Sequence, residues 1–184
     1  MIIKTGSGRK IIDIFISMNV KLTIWKPEHA EALATHLNNK KIWDNLRDRV
    51  PHPYLLKDAR AFIATQEQKD PVENFAIEYN GEIVGGIGVL LQEDISRLTA
   101  EIGYWLAEPF WGKGIITEAI GQMTNYAFSN FGLVRIYAEV FAHNKGSMKA
   151  LEKSGFHFES IKKNAVIKND TIIDDHVYVM LKQV

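Results

Sequence analysis

The chain predicts a mixed α/β (α+β) fold with a mostly antiparallel sheet, and three observations point to it. Early apolar segments alternate with period two around the turn Asn80-Gly81, the pattern of an antiparallel meander. Later segments alternate strand and helix patterning, as a parallel crossover requires. The hydrophobic fraction of 46% and the charged fraction of 24% suit a folded chain with a buried core. At 184 residues, one domain is expected.

The elements follow in order. Lys4, Arg9 and Lys10 precede the apolar run 11–16, but Asp13 interrupts it and no small-residue cleavage site follows. Residues 1–18 therefore read as an extra strand or arm, an N-terminal extension to a core of 19–184. Residues 20–25 read as a strand. Pro27 opens a helix with Ala30, Leu33, Ala34 and Leu37 on one stripe. Irregular and helical pieces pass Trp43, Pro51 and Pro53, and a helix is expected over 57–68. Strands at Asn74–Tyr79 and Glu82–Leu91 form the hairpin, and Thr99–Leu106 extends it. A loop over 107–114 leads into a helix over 115–131 with Ile116, Ala119, Ile120, Met123 and Ala127 aligned, closed by Gly132. Residues 134–140 alternate as a strand with Val134, Ile136, Ala138 and Val140 on one face. A short helix over 144–154 stops at Gly155, and Thr171–Leu181 is the last strand.

Composition excludes several functions. Lys+Arg and Asp+Glu each total 22, so no basic excess favours nucleic acid or an anionic membrane surface. No cysteine is present, which removes disulfides, a thiolate nucleophile and cysteine-bound zinc, and suits a reducing cytoplasm. His29, His36, His52, His157 and His176 show no metal-ligand spacing, so no metal is expected. No run approaches the roughly 20 apolar residues of a membrane helix.

The informative segment is Trp111-Gly112-Lys113-Gly114-Ile115-Ile116-Thr117-Glu118-Ala119, between a strand and a helix. Gly112 and Gly114 allow a sharp turn and close approach of a ligand. The first N–H groups of the following helix lack internal partners and lie at its positive end, which suits a pyrophosphate. A dinucleotide fingerprint would need glycine at Thr117, and a Walker loop would need Ser or Thr after Lys113. Neither fits.

The run Glu101-Ile-Gly-Tyr-Trp-Leu-Ala-Glu-Pro-Phe-Trp-Gly-Lys-Gly-Ile-Ile-Thr-Glu-Ala resembles the acetyl-CoA signature of the GNAT N-acetyltransferase superfamily. It is most similar to the Rim-type branch, which acetylates N-terminal amines of ribosomal proteins. Asn144-Lys-Gly-Ser-Met-Lys-Ala-Leu-Glu-Lys-Ser-Gly-Phe156 resembles the downstream motif of that family, at matching spacing. The likeness runs from about Asn19 to the C-terminus. It departs from the superfamily pattern at Trp111, as is usual in this branch, and at Ile116, where a small residue is the rule.

The resemblance implies a splayed central sheet with helices on both faces and direct attack of an amine on the thioester of acetyl-CoA. It implies that the pantetheine arm lies between the strands 99–106 and 134–140, with backbone contacts from Leu106. Gly112, Lys113, Gly114, Ile115, Ile116 and Thr117 would hold the pyrophosphate. Glu101, facing the same side as Gly103 and Trp105, is the candidate base; the alternative is a salt-bridge partner or a solvated glutamate. Many relatives carry a tyrosine acid at the position of Leu151, and Ser147 is the alternative acid here, or an ordinary helix hydroxyl. Asn144 is a candidate pantetheine contact and equally a helix N-cap. His143 adjoins the site without an evident partner. Trp43 is either an acceptor contact or core. Asp44, Asp48, Asp58 and Glu67 read as a solvated face more than an acidic pocket.

The expected partners are acetyl-CoA and an amine acceptor, a protein N-terminus first, with no nucleic acid and no membrane; the chain would be a monomer or a homodimer. The other readings are a small-amine acetyltransferase (polyamine, amino acid or aminoglycoside) and a non-catalytic acyl-CoA sensor.

Overall fold

The computed structural model describes residues 19–66 and 69–183. The N-terminal extension read from residues 1–18 and the candidate Glu67 lie outside the described residues. Among the described residues, seven strands form one sheet: β1 (Val20–Ile24), β2 (Asn74–Tyr79), β3 (Glu82–Leu91), β4 (Thr99–Leu106), β5 (Arg135–Phe141), β6 (His157–Lys168) and β7 (Thr171–Leu181). Their spatial order is β1-β2-β3-β4-β5-β7-β6. Every pairing is antiparallel except β4 with β5. Asn80 and Gly81 both have positive φ, so the β2–β3 turn takes the form their dipeptide predicts.

Strand alternation sends side chains to two cores. On one face, α4 (Ile115–Asn130) and α5 (Lys145–Lys153) cover Ile77, Ile87, Ile102, Ile136 and Leu151. On the other, α1 (Ala30–Leu37), α2 (Lys40–Trp43) and α3 (Leu56–Gln66) enclose Trp25, Leu33, Ile63, Ala76 and Ile83. The mixed, mostly antiparallel sheet with helices on both faces agrees with the predicted fold class.

Two sequence expectations are corrected, and one strand escaped the sequence altogether. Val134 precedes β5 and is half exposed, because the strand begins at Arg135; Ile136, Ala138 and Val140 are buried as expected. In α4 it is Ile115 that is fully buried, while Ile116 is half-buried against the same core. Strand β6 carries no expectation at all. It is an edge strand, exposed along nearly its whole length and broken by register shifts after Phe158 and Lys162, so it shows no apolar alternation.

Candidate active site

The parallel pair β4–β5 is bridged only at Thr99–Arg135, Ala100–Ile136 and Glu101–Tyr137. Beyond Glu101 the two strands diverge, and a cleft of about 1150 Å³ opens there. The orientation of the β4 backbone follows from its other neighbour. The Ala107 N–H donates to the Val84 carbonyl at 2.8 Å, and Leu106 lies opposite Gly85. Leu106 is therefore at a non-hydrogen-bonded position and turns its own N–H and C=O away from β3, toward the opening. Trp111 Nε1 donates to that carbonyl at 2.7 Å, which ties the following loop back onto the strand end.

That loop ends in the glycine pair. Gly112 has φ +75° and Gly114, the N-cap of α4, has φ +80°, both in the left-handed region where a Cβ is penalised. The Glu118 N–H donates to the Gly114 carbonyl at 3.1 Å and begins the intrahelical ladder. The N–H groups of Ile115, Ile116 and Thr117 precede that ladder, and the helix of 16 residues places its positive end there. Gly112, Gly114, Ile115 and Ile116 line the cleft. Lys113 lies over the Phe110 ring at 5.1 Å. Thr117 has its carbonyl bonded by Ser154 Oγ of the segment after α5, at 3.2 Å.

Asn144 caps α5, accepting from the Ser147 N–H at 3.1 Å, and both residues line the cleft. Ser147 Oγ lies 2.8 Å from the Tyr104 hydroxyl, an arrangement in which either oxygen can donate. Burial pushes the Tyr104 phenol well above its ordinary pKa, so it stays protonated. Leu151 is fully buried in the core. His143 lines the cleft beside Phe141, with ring centroids 5.9 Å apart.

The register of β4 against β3 is continuous, with no bulge. Glu101 therefore keeps the parity of Gly103 and Trp105 and faces the side of α1 to α3. Both of its oxygens accept from Arg47 Nη2, at 2.5 and 2.6 Å, so the salt-bridge alternative is the one the structure displays. The wall around Arg47 is built. Trp43 Nε1 donates to the Val50 carbonyl at 2.7 Å, and its ring stacks on His52. The buried Lys168 of β6 sits 3.3 Å from the Trp43 ring centroid and donates to Asp48 at 2.6 Å. Trp43 thus packs behind the cleft, against Val50 and Lys168, which line it. Asp44 bonds Lys40 and Asn169, and Asp58 accepts from the Leu55 N–H, so neither is an isolated charge.

Tyr104, Lys168 and Asp175 escaped sequence reasoning as cleft residues. For Asp175 a signal existed: it interrupts the stripe Ile173, Val177, Val179, a carboxylate at a position of core parity. Among the described residues, no group of three or more His, Cys, Asp and Glu side chains is placed to hold a metal.

The acetyltransferase (GNAT) domain family matches residues 19–157, and this chain belongs to that family. Two relatives from Bacillus subtilis (strain 168), the probable N-acetyltransferase YjcK and the uncharacterized N-acetyltransferase YoaA, are 46% and 37% identical over 83 and 101 residues. Those stretches cover 45% and 55% of this chain and 46% and 56% of the relatives, so the match spans about half the length of each. The ribosomal-protein-serine acetyltransferase of Escherichia coli (strain K12) is 26% identical over 91% of this chain and 96% of its own. Among solved structures, the microcin C7 self-immunity acetyltransferase MccE, bound to acetyl-CoA and AMP, superposes with a TM-score of 0.76. It is 26% identical, over 89% of this chain and 93% of MccE. The ribosomal L7/L12 α-N-protein acetyltransferase RimL, bound to coenzyme A, has the same fold at a TM-score of 0.76 and 24% identity. That match covers 90% of this chain and 96% of RimL.

Proposed function

We propose that this chain is an acetyl-CoA-dependent N-acetyltransferase acting on a primary amine, with the α-amine of a protein N-terminus as the acceptor class. The observation that carries the reading is a single cleft joining diverging strands to the open N-terminus of a glycine-led helix. A diphosphate at that terminus and a linear arm between the strands would use backbone groups that are otherwise without strand or helix partners. The family supports acetyl-CoA as cosubstrate, and the full-length likeness to a ribosomal-protein-serine acetyltransferase supports the acceptor class. A single domain would span residues 1–184, with its core at 19–184, and work in the cytoplasm.

Acetyl-CoA supplies the thioester; this chain supplies the positioning. The cradle from Gly112 to Thr117 binds the diphosphate, and Leu106 N–H faces the strand gap, where a donor stabilises charge developing on the thioester oxygen. Asn144 orders the first turn of α5 and so holds Ser147 in the cleft. Ser147, backed by Tyr104, donates a proton to the departing sulfur. Glu101 fixes the acceptor wall while Arg47 holds both of its oxygens, and it is open to a proton only when Arg47 leaves.

An α-amine suits this cleft energetically. Deprotonating one at pH 7 costs about 1 kcal/mol, against about 4.6 kcal/mol for a lysine side chain. The decisive experiment measures coenzyme A binding by calorimetry and then thiol release from acetyl-CoA with serine- and alanine-initiated peptides and spermidine. Binding followed by peptide turnover supports the reading, turnover of spermidine alone moves the acceptor to small amines, and binding without turnover would make the chain an acyl-CoA sensor. No heat with coenzyme A would sink it.

A further inference from the structure

Five carboxylates line the cleft, and four of them have a cationic partner. Glu101 is held by Arg47, Asp48 by Lys168, Glu139 by Lys162 and Glu73 by Lys69. The fifth is Asp175 of β7. Only 2% of its surface is exposed, and its Oδ1 is buried without a hydrogen-bond donor among the described residues. Its Cα lies opposite Phe141 of β5 and Lys162 of β6, and both Asp175 and Phe141 line the cleft.

The groups facing it can be named element by element. From β5 come Glu139 and Tyr137, from β6 Lys162, from β4 Glu101, and from the loop after α2 Arg47. Asp174 and His176 alternate to the opposite face of β7. Burial above all, and then the negative charge of Glu139, push the Asp175 carboxyl up to about 6, with Lys162 pulling the other way and a side-chain hydrogen bond with Glu139 adding to the rise. A buried carboxylate oxygen with no donor, as Oδ1 is, is costly, and a cationic group in the cleft would complete it.

We propose that Asp175 is the carboxylate that receives the acceptor's ammonium group and takes its proton. The proposal rests on the acetyl-transfer reading and names the residue that serves it on the acceptor side. One N–H bond of the ammonium breaks and the proton goes to an Asp175 oxygen, leaving a neutral amine. The amine nitrogen then forms the C–N bond to the thioester carbonyl as the C–S bond breaks. The sulfur takes a proton from Ser147, and the nitrogen's second proton returns to the Ser147–Tyr104 pair. The products are amide and free thiol, and Asp175 releases its proton to solvent.

The test compares wild type, Asp175→Asn and Glu101→Gln in the full chain. Calorimetry with coenzyme A is run first, then thiol release with acetyl-CoA and the same peptides and spermidine from pH 5 to 9. Asp175→Asn should bind coenzyme A as wild type does, lose about 10²-fold in kcat/KM, and lose the acid limb centred near 6; Glu101→Gln should keep that limb. An Asp175→Asn enzyme within threefold of wild type, or with the limb intact, overturns this assignment while leaving acetyl transfer standing. A wild type that binds coenzyme A but acetylates nothing overturns both, and one that binds no coenzyme A removes the acetyl-transfer reading itself.

Discussion

Asp175 and Ser147 carry opposite kinds of consequence. The folded Asp175 carboxyl titrates near 6 rather than at the ordinary 3.8, so between roughly pH 4 and 6 the native chain holds a proton that the unfolded chain has lost. Stability therefore falls as pH rises through that window and stays reduced above it, by on the order of 3 kcal/mol. Asp175→Asn should be more stable than wild type in urea at pH 8, with the gap closing below pH 4; equal midpoints at pH 8 would count against the buried charge. Ser147→Ala should lower kcat by about 10²-fold with little change in coenzyme A affinity. Tyr104→Phe, which removes the partner hydroxyl 2.8 Å away, should lower kcat less than Ser147→Ala does, with coenzyme A affinity unchanged.

At the scale of elements, the start of α4 and the β6–β7 hairpin divide the work. The proposed diphosphate cradle depends on a left-handed residue at the N-cap, and Gly114 meets that need at φ +80°. Gly114→Ala should lose about 1–2 kcal/mol of stability and about tenfold in coenzyme A affinity by calorimetry. The hairpin closes the acceptor side through one buried cation, Lys168, against Trp43 and Asp48. Lys168→Met keeps the aliphatic stem but loses both contacts. Its acceptor KM should rise several-fold with coenzyme A affinity unchanged; a matching loss of coenzyme A affinity would show that the hairpin supports the whole cleft.

Across the whole molecule, two cores on opposite faces of one sheet leave the β4–β5 gap as the natural place for a ligand, since the register there ends at Glu101. Ligand that binds only the folded chain stabilises it by about 2.7 kcal/mol at a hundredfold excess over Kd. For a chain of this size that is roughly 5–10 °C in Tm, measurable by scanning fluorimetry with coenzyme A and absent with a nucleotide lacking the pantetheine arm. The sequence by itself determined the meander, the crossover helix and the glycine cradle, because turn dipeptides, apolar periodicity and positive-φ glycines act over a few neighbouring residues. It also marked Glu101, Ser147 and Asn144 as residues of one cleft through their motifs. Only the tertiary structure decided what those side chains meet. Arg47 reaches Glu101 across 54 positions and Lys168 reaches Asp48 across 120, and no local pattern encodes pairings over such distances. Strand β6 was hidden for a related reason: an exposed edge strand buries too little for its side chains to alternate.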